Sequence, residues 1–559
     1  MSAADRSERL QCPHVERCGG CSLSDLDYGG QLDAKVELVR SAFAGYAALA
    51  KVELAPLAPA PSMVGYRIRE KLVVDGRQLG LFARGTHDVV DIPECRLTSS
   101  RVERVISAVR RRLPLPFTLF GIDVREVDAG ALLTLIVGHD VDERDLEPCA
   151  RELVRDEPSI VGVSLSRRHK KAPRLLGTAP QTVIGHALAR HRLAPSLPYH
   201  LAAPGSFVQG HASQAVRLYA DVEAVLTARL GSLENKRVLE LFAGSGSLAL
   251  QLAARGADVT AIDSHEPGIR ALERAAREQG IELVARAERA ELTLASQHAG
   301  YDAVIVDPPR RGLPPELRRE LARSGARVLV YVSCEPSTLA RDLSHLTELG
   351  YCLRELKPFD LLPLSASVEL LAVLEPGPRP EPRVVYQDER WLAVDAPAFA
   401  DGLSTALAER FAAVVPLGPE SWSGIRLFAR GQVPTDAPSC AAEYSVLVRG
   451  VIRHHGRLRS ARYVRQRIVG THSLITVQAP LGRSEVWARE LSRVGHPVLG
   501  DTRYGDHKSN RHFLELHGLD RPFVHLARLK VAVPERTLES QLAPDLAAVL
   551  ESLASAEHR

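Results

Sequence analysis

The stretch 327-RVLVYVSCEPSTLARDL-343 decides how the rest of the chain is read. Its first half is an apolar run of the length and composition of a buried parallel strand, and helix-forming sequence follows. Cys334 therefore stands at the carboxyl end of a strand, where open α/β sheets place their chemistry. Tyr301–Gly312 (YDAVIVDPPRRG) repeats the pattern with Asp307 at the strand end. Val238–Ser247 (VLELFAGSGS) runs from a strand into a glycine-rich turn. A thiol, a carboxylate and a glycine turn at three strand ends predict an enzyme that sets a nucleotide-type cofactor beside a covalent nucleophile.

Working outward, strands are expected at 237–242, 258–263, 301–307, 327–333 and 367–375, alternating with helical stretches. That alternation predicts a Rossmann-like, doubly wound α/β domain over residues 206–376. The proline-dense segment 376-PGPRPEPR-383 reads as an extended spacer and a domain boundary. Residues 1–205, rich in short strand signals such as 71-KLVV-74, form an α+β region in front of it. Residues 384–545 form a third α+β region, and the alanine-rich end is expected to be a frayed helix.

The length of 559 residues allows about three or four domains, each with a core of its own. Its 71 basic and 68 acidic side chains nearly cancel, so partners must be read from local clusters rather than from overall charge. No apolar run reaches membrane-spanning length, and MSAADRSERLQC has no signal-peptide core. A cytoplasmic protein with no membrane partner is expected, and a monomer is compatible with this reading. Eight cysteines are too few and too scattered for a secreted disulfide scaffold.

The turn Phe242–Gly246 lets a ligand approach the backbone closely. Asp263 closes the next strand, 19 residues after Gly244, where a carboxylate can accept from ribose hydroxyls. A nicotinamide site would have a third glycine opening the helix, and Leu248 or Ala249 stands there instead. S-adenosylmethionine is therefore the expected cofactor. The thiol suggests the reaction. A thiolate adding to carbon 6 of a pyrimidine makes carbon 5 nucleophilic enough to take a methyl group; a base then removes the carbon-5 proton and the thiolate leaves. Glu369, on the last strand, is the candidate base, because an unpaired carboxylate inside SVELLAVL is costly without a role.

At these residues the chain resembles the uridine-C5 RNA methyltransferases that act on ribosomal RNA and on the tRNA T-loop, over about residues 10–375. YVSCEPSTLARDL resembles their nucleophile motif, which implies Cys334 as the catalytic cysteine. DLLPLSASVE (360–369) is similar to the segment holding their proton-accepting glutamate, which implies Glu369. DPPRRG implies Asp307 at the donor site, and 205-GSFVQGH-211 implies Gln209. Phe242, Gly244 and Asp263 fall on further donor-contacting positions. Departures from the family pattern are His211, Glu335 and Ser367, with Asp263 a shorter substitute for glutamate. Amino-group methyltransferases carry an aromatic residue where Arg310 follows the two prolines. Cytosine-C5 enzymes carry a second cysteine in the DPP-type motif, and this chain has none. Uridine is the expected base, in 23S ribosomal RNA first and in the tRNA T-loop second. The rival from another class is a non-catalytic RNA-binding or assembly factor.

Cys12, Cys18 and Cys21, with Cys95 downstream, have the composition of an iron–sulfur or zinc site. The resemblance extends to CGGCSLSDLDY and implies a 4Fe–4S cluster on these four cysteines. Cys149, Cys352 and Cys440 read as ordinary buried thiols. The third region resembles the RNA pseudouridine synthases, with AEYSVLVRG and LGRSEVWARELSRVGHPVLGD as the matching stretches. Pro419, in 416-PLGPESWSG-424, occupies the place of their essential aspartate, so a degenerate domain is implied. Seven arginines between Arg449 and Arg467, with no acidic residue among them, suit RNA phosphates, as does the second basic run from Arg167 to Arg174.

Overall fold

Strands β1 (Arg69–Asp75), β2 (Gln78–Phe82), β3 (Val89–Asp91), β4 (Leu119–Val127), β5 (Gly130–Gly138), β6 (Ile160–Arg168) and β7 (Gln181–Gly185) form one sheet in the order β3-β2-β1-β4-β5-β6-β7. Only β5 and β6 run parallel, and the helix Glu143–Asp156 supplies the crossover that a parallel pair needs. That helix and Ser100–Arg112 bury Leu146, Leu153, Val105 and Val109 against the sheet. A short pair, β8 (Ala189–His191) and β9 (His200–Ala202), leads on to the central region. The computed structural model describes residues 6–557 apart from 170–171, 173–174, 205, 208, 297–299, 379–380, 382, 390, 399–402, 404–406, 409–410, 412–413, 418, 431–440, 482–483 and 533–534.

The central sheet contains β10 (Arg237–Leu241), β11 (Asp258–Asp263), β12 (Val284–Ala287), β13 (Ala303–Val306), β14 (Val328–Ser333), β15 (Tyr351–Phe359) and β16 (Glu369–Pro376). Their order is β12-β11-β10-β13-β14-β16-β15. The first five are parallel, and β16 inserts antiparallel between β14 and β15. All five strands expected from the apolar pattern are present within a few residues. The pattern missed β12 and β15, both at sheet edges, whose exposed or half-exposed residues break the apolar signal.

Residues 28–63 pack with the central sheet. The helix Tyr28–Ala44 buries Tyr28, Leu32, Val39 and Phe43 in the cluster that holds Tyr331, Leu339 and Leu343. The chain then pairs Leu54 with Leu356 and Ala58 with Phe359 along β15. Asp360 is the anchor of this arrangement. Its fully buried carboxylate accepts from Tyr28 Oη at 2.7 Å and from Lys35 Nζ at 2.5 Å. Burial holds the Lys35 ammonium below its usual range, and Asp360 offsets part of that shift.

Among the described residues, a third, ten-stranded mixed sheet spans Arg383 to Glu539. The final helix, Pro544–Glu557, is not the frayed end that composition suggested; it buries Leu546, Val549, Leu550 and Leu553. A second buried carboxylate joins this region to the central one. Asp342 accepts from Tyr331 Oη (2.7 Å), the Leu313 N–H (2.7 Å), Arg318 (3.0 Å) and Arg341 (2.7 Å). Arg318 and Arg341 both reach across to Asp520, at 2.5 and 3.5 Å. No helix among the described residues is long and apolar enough to cross a membrane. The Asp360 arrangement leads to a measurable expectation. Lys35→Met leaves a buried carboxylate without its cation and destabilises the protein by about 3–5 kcal/mol in urea unfolding.

Candidate active site

The glycine turn after β10 is built by local backbone needs. Phe242, Gly244 and Gly246 all have positive φ, at 65°, 59° and 73°. At Gly246 a Cβ would stand 2.3 Å from the Leu272 side chain, so glycine is required where the next helix begins. The turn opens onto a cavity lined by Gln209, Tyr219, Glu240, Phe242, Gly244, Ser245 and Asp307, among others. Four of the five expected donor residues thus meet in one place. Asp263 is the exception. Its carboxylate accepts from the backbone N–H groups of Gly244 (2.9 Å) and His265 (2.7 Å), bracing the turn from behind rather than lining the cavity. Gly205 and Val208, beside Gln209, lie outside the described residues.

Cys334 and Glu369 are brought together by strand register. Ser333 pairs with Leu370 across β14 and β16, so the next pair outward is Cys334 and Glu369. Val306 pairs with Tyr331 on the other side of β14, which carries Asp307 to the same end of the sheet. The groups feel one another. Burial pushes the Cys334 thiol up to about 12; Glu369 and Asp307 add to that, and Arg310 opposes it. Burial and Asp307 push Glu369 well above the carboxylate range, again against Arg310. Asp307 is raised to about 7 by burial. The loop bearing Asp307 is held close to the Cys334 helix: Gly312, at φ 72°, passes Asp342 so tightly that a Cβ would lie 2.4 Å from its Oδ2.

Glu240 was not foreseen from the sequence. It sits on β10, 5% exposed, with Oε2 lacking a hydrogen-bond partner, and it lines the same cavity. Burial, Asp307 and Asp263 raise it to about 8. The signal for it was present, since a lone acid inside VLELF is as costly as the one in SVELLAVL. Glu240, Asp307 and Glu369 together make a recessed acidic site, whose mutual repulsion and desolvation a cationic ligand relieves.

Comparison with known proteins agrees with this geometry. Residues 223–335 match the family model described as Conserved hypothetical protein 95. The chain is 29% identical over 395 residues to an uncharacterized RNA methyltransferase of Gloeobacter violaceus, covering 67% of this chain and 84% of the relative. Among solved structures, the tRNA (uracil-54, C5)-methyltransferase of Pyrococcus abyssi in complex with S-adenosyl-L-homocysteine superposes with a TM-score of 0.51 at 25% identity, covering 64% of this chain and 86% of that one. The chain is also 31% identical over 391 residues to the 23S rRNA (uracil(1939)-C(5))-methyltransferase RlmD of Pseudomonas fluorescens, covering 67% of this chain and 82% of that protein. The chain belongs to the RNA (uracil-C5)-methyltransferase family. It is an S-adenosylmethionine-dependent enzyme, and RNA is its substrate.

In this methyltransferase the loop leading into Glu369 is also tied to the amino-terminal cysteines. The Leu23 N–H donates to Leu364 O (2.9 Å), the Ala366 N–H to Ser22 Oγ (2.9 Å), and Tyr66 Oη to Pro363 O (3.1 Å). Cys12, Cys18, Cys21 and Cys95 line one small cavity, closed by Leu97 and Leu364. Burial raises the Cys21 thiol to about 11, and the other three cysteines add to the shift. Among the described residues, no three His, Cys, Asp or Glu side chains are grouped to hold a single metal ion. Cys149 is buried as expected, Cys352 is only half-buried, and Cys440 lies outside the described residues.

Glu240 gives the testable consequence of this site. A carboxyl raised from 4.5 to about 8 favours the folded state below about pH 4.5, and that contribution is lost as pH rises through about 8. Glu240→Gln should therefore raise the melting temperature of the ligand-free enzyme at about pH 8–9 and leave it unchanged near pH 4. In calorimetric titrations the same variant should bind S-adenosylmethionine more weakly.

Proposed function

We propose that this enzyme methylates carbon 5 of a uridine in 23S ribosomal RNA through a transient bond between Cys334 and carbon 6, with Glu369 as the base. The observation that carries the reading is the pairing of β14 with β16, which sets Cys334 beside Glu369, both within electrostatic reach of Asp307, a residue that lines the acidic cavity. The 23S rRNA specificity in the name of the Pseudomonas fluorescens relative supports the choice of RNA. The tRNA T-loop is the second reading, favoured by the Pyrococcus abyssi structure.

S-adenosylmethionine supplies an electrophilic methyl group on a sulfonium. Gln209, Phe242, Gly244 and Asp307 would hold it, with Glu240 as a second acid and Asp263 fixing the turn. The acid-rich cavity suits a cation in this position. The uridine must leave its stack to reach the thiol, so a loop or single-stranded target is expected. Arg310 favours the thiolate. As the sulfur–carbon 6 bond forms, the ring electrons shift toward carbon 4 and its oxygen, and carbon 5 becomes the nucleophile that takes the methyl group. Glu369, as carboxylate, then removes the carbon-5 proton, the double bond re-forms and Cys334 leaves as thiolate. Burial makes Glu369 a stronger base than a solvated carboxylate, which is what abstraction from carbon requires.

We assign Cys12, Cys18, Cys21 and Cys95 to a 4Fe–4S cluster. Support comes from four thiols that line one cavity. Methyl transfer requires no electron, so the role is structural: the cluster would hold Ser22 and Leu23 against the loop that delivers Glu369. The third region, read as a degenerate pseudouridine-synthase-like domain, would make no pseudouridine. Pro419 stands on a cavity of about 500 Å3 beside Trp422 and Tyr504. Of the carboxylates that line it, Asp501 accepts from the N–H groups of Arg503 and Tyr504 and serves the turn.

Two experiments test these readings. With 23S RNA transcripts and S-adenosylmethionine, Glu369→Gln should accumulate an RNA–protein adduct stable in denaturing gels and lose turnover by about 10²–10⁴-fold. Cys334→Ala should form no adduct and no 5-methyluridine; methylation by that variant would remove the mechanism. Protein purified without oxygen should carry about four irons and four sulfides per chain, and Cys18→Ser should lose them.

A further inference from the structure

The arginine run of the third region occupies the last hairpin of its sheet. Strand His455–Arg457 lies at the sheet edge and pairs antiparallel with Arg462–Val469. The register sets Arg457 directly opposite Arg462, and His455 opposite Val464. Directly opposed residues share a face, with Cβ atoms about 4.5–5.5 Å apart, and like charges in that arrangement repel. Both arginines are exposed, as are Arg453, Arg459 and Arg467 nearby. Among the described residues, none of these five has a carboxylate within ion-pair distance. Exposed arginines elsewhere in the chain commonly have one, such as Arg144 with Asp142, Arg270 with Glu266 and Arg354 with Glu375.

The scaffold beneath these charges is rigid. The Leu458 N–H donates to Ala461 O (2.8 Å), closing the turn, and both side chains are buried. Glu490, the acid under the turn, accepts from the Ser460 N–H (3.2 Å) and Ser460 Oγ (2.9 Å), and is itself buried. Tyr463 points into the core, while Val464 and Ile468 are exposed among the arginines at 40% and 47%. An edge strand needs one or two charges to discourage strand addition. Five uncompensated arginines, two of them forced face to face, exceed that need. They fit a partner that brings negative charge at short, regular spacing and apolar faces beside it.

We propose that this hairpin is a second RNA-binding surface, on which Arg457 and Arg462 grip one backbone phosphate and Arg453, Arg459 and Arg467 hold its neighbours. It anchors substrate RNA away from the reacting uridine, through a region that the methyl-transfer chemistry does not use. The inference rests on RNA as substrate but not on the roles of Cys334 or Glu369, because its test reads binding.

The test measures binding of the full chain to 23S ribosomal RNA transcribed in vitro, across a range of KCl concentrations. Replacing Arg457, Arg459 and Arg462 together by Gln should weaken binding and flatten the slope of log K against log[KCl] by about 1.5 to 2, the loss of two phosphate contacts. Replacing the same three by Lys should restore most of the slope. A circular-dichroism melt unchanged from wild type establishes that the variants are folded. An unchanged slope in a folded Gln variant would overturn the proposal. So would competition by poly-glutamate as effective as that by RNA, since it would assign the surface to an acidic protein.

Discussion

The proposed chemistry of this enzyme depends on the antiparallel entry of β16 beside β14. Pairing Ser333 with Leu370 puts the first residue of one strand next to the residue just past the other. A slip of one residue would turn Glu369 to the opposite face of the sheet. The register is held by two different cores. Leu329 and Tyr331 of β14 and Leu370, Ala372 and Leu374 of β16 face one cluster; Val330 and Val332 of β14 and Leu371 and Val373 of β16 face the other. Exchanging faces would force large and small side chains into each other's space, which close-packed interiors resist.

Two buried carboxylates then fix the loops that carry chemistry past the strand ends. Asp360, bound by Tyr28 and Lys35, holds the approach to Glu369 against the amino-terminal helix. Asp342, bound by Tyr331, Leu313, Arg318 and Arg341, holds the loop after Asp307 against β14. Buried charges of this kind are poor sources of net stability, but they penalise every arrangement that leaves them unpaired. Here that specificity places Glu369 and Asp307. Through Arg318 and Arg341 the same network extends to Asp520, so the third region is braced on the catalytic one.

The active site itself is under electrostatic tension. Glu240, Asp307 and Glu369 share a recessed end of the sheet, each raised by burial and two of them by a neighbouring carboxylate. Such a site is ill suited to a neutral occupant and well suited to a cation. The thiol of Cys334 is pushed upward by burial and by Glu369 and Asp307, against Arg310.

The strand-end motifs, the thiol, the candidate base Glu369 and the glycine turn were legible in the residues because burial on both faces writes itself as short apolar runs. A costly polar residue inside such a run marks a task. By that rule Glu240 was as visible as Glu369, and it went unread. The edge strands β12 and β15 were hidden because half-exposed strands lose the apolar pattern. Asp263 could be placed at the end of β11, yet only the folded turn showed its oxygens occupied by Gly244 and His265. The arginine run could be counted, but not the facing of Arg457 and Arg462. By itself the sequence determined roughly where each strand lies and which residues at the strand ends are candidates for the chemistry, since local periodicity reports burial. Tertiary structure alone decided which strand ends meet, which helix braces them and how far each proton affinity moves. Those depend on distances between residues far apart in the chain, on which local patterns are silent.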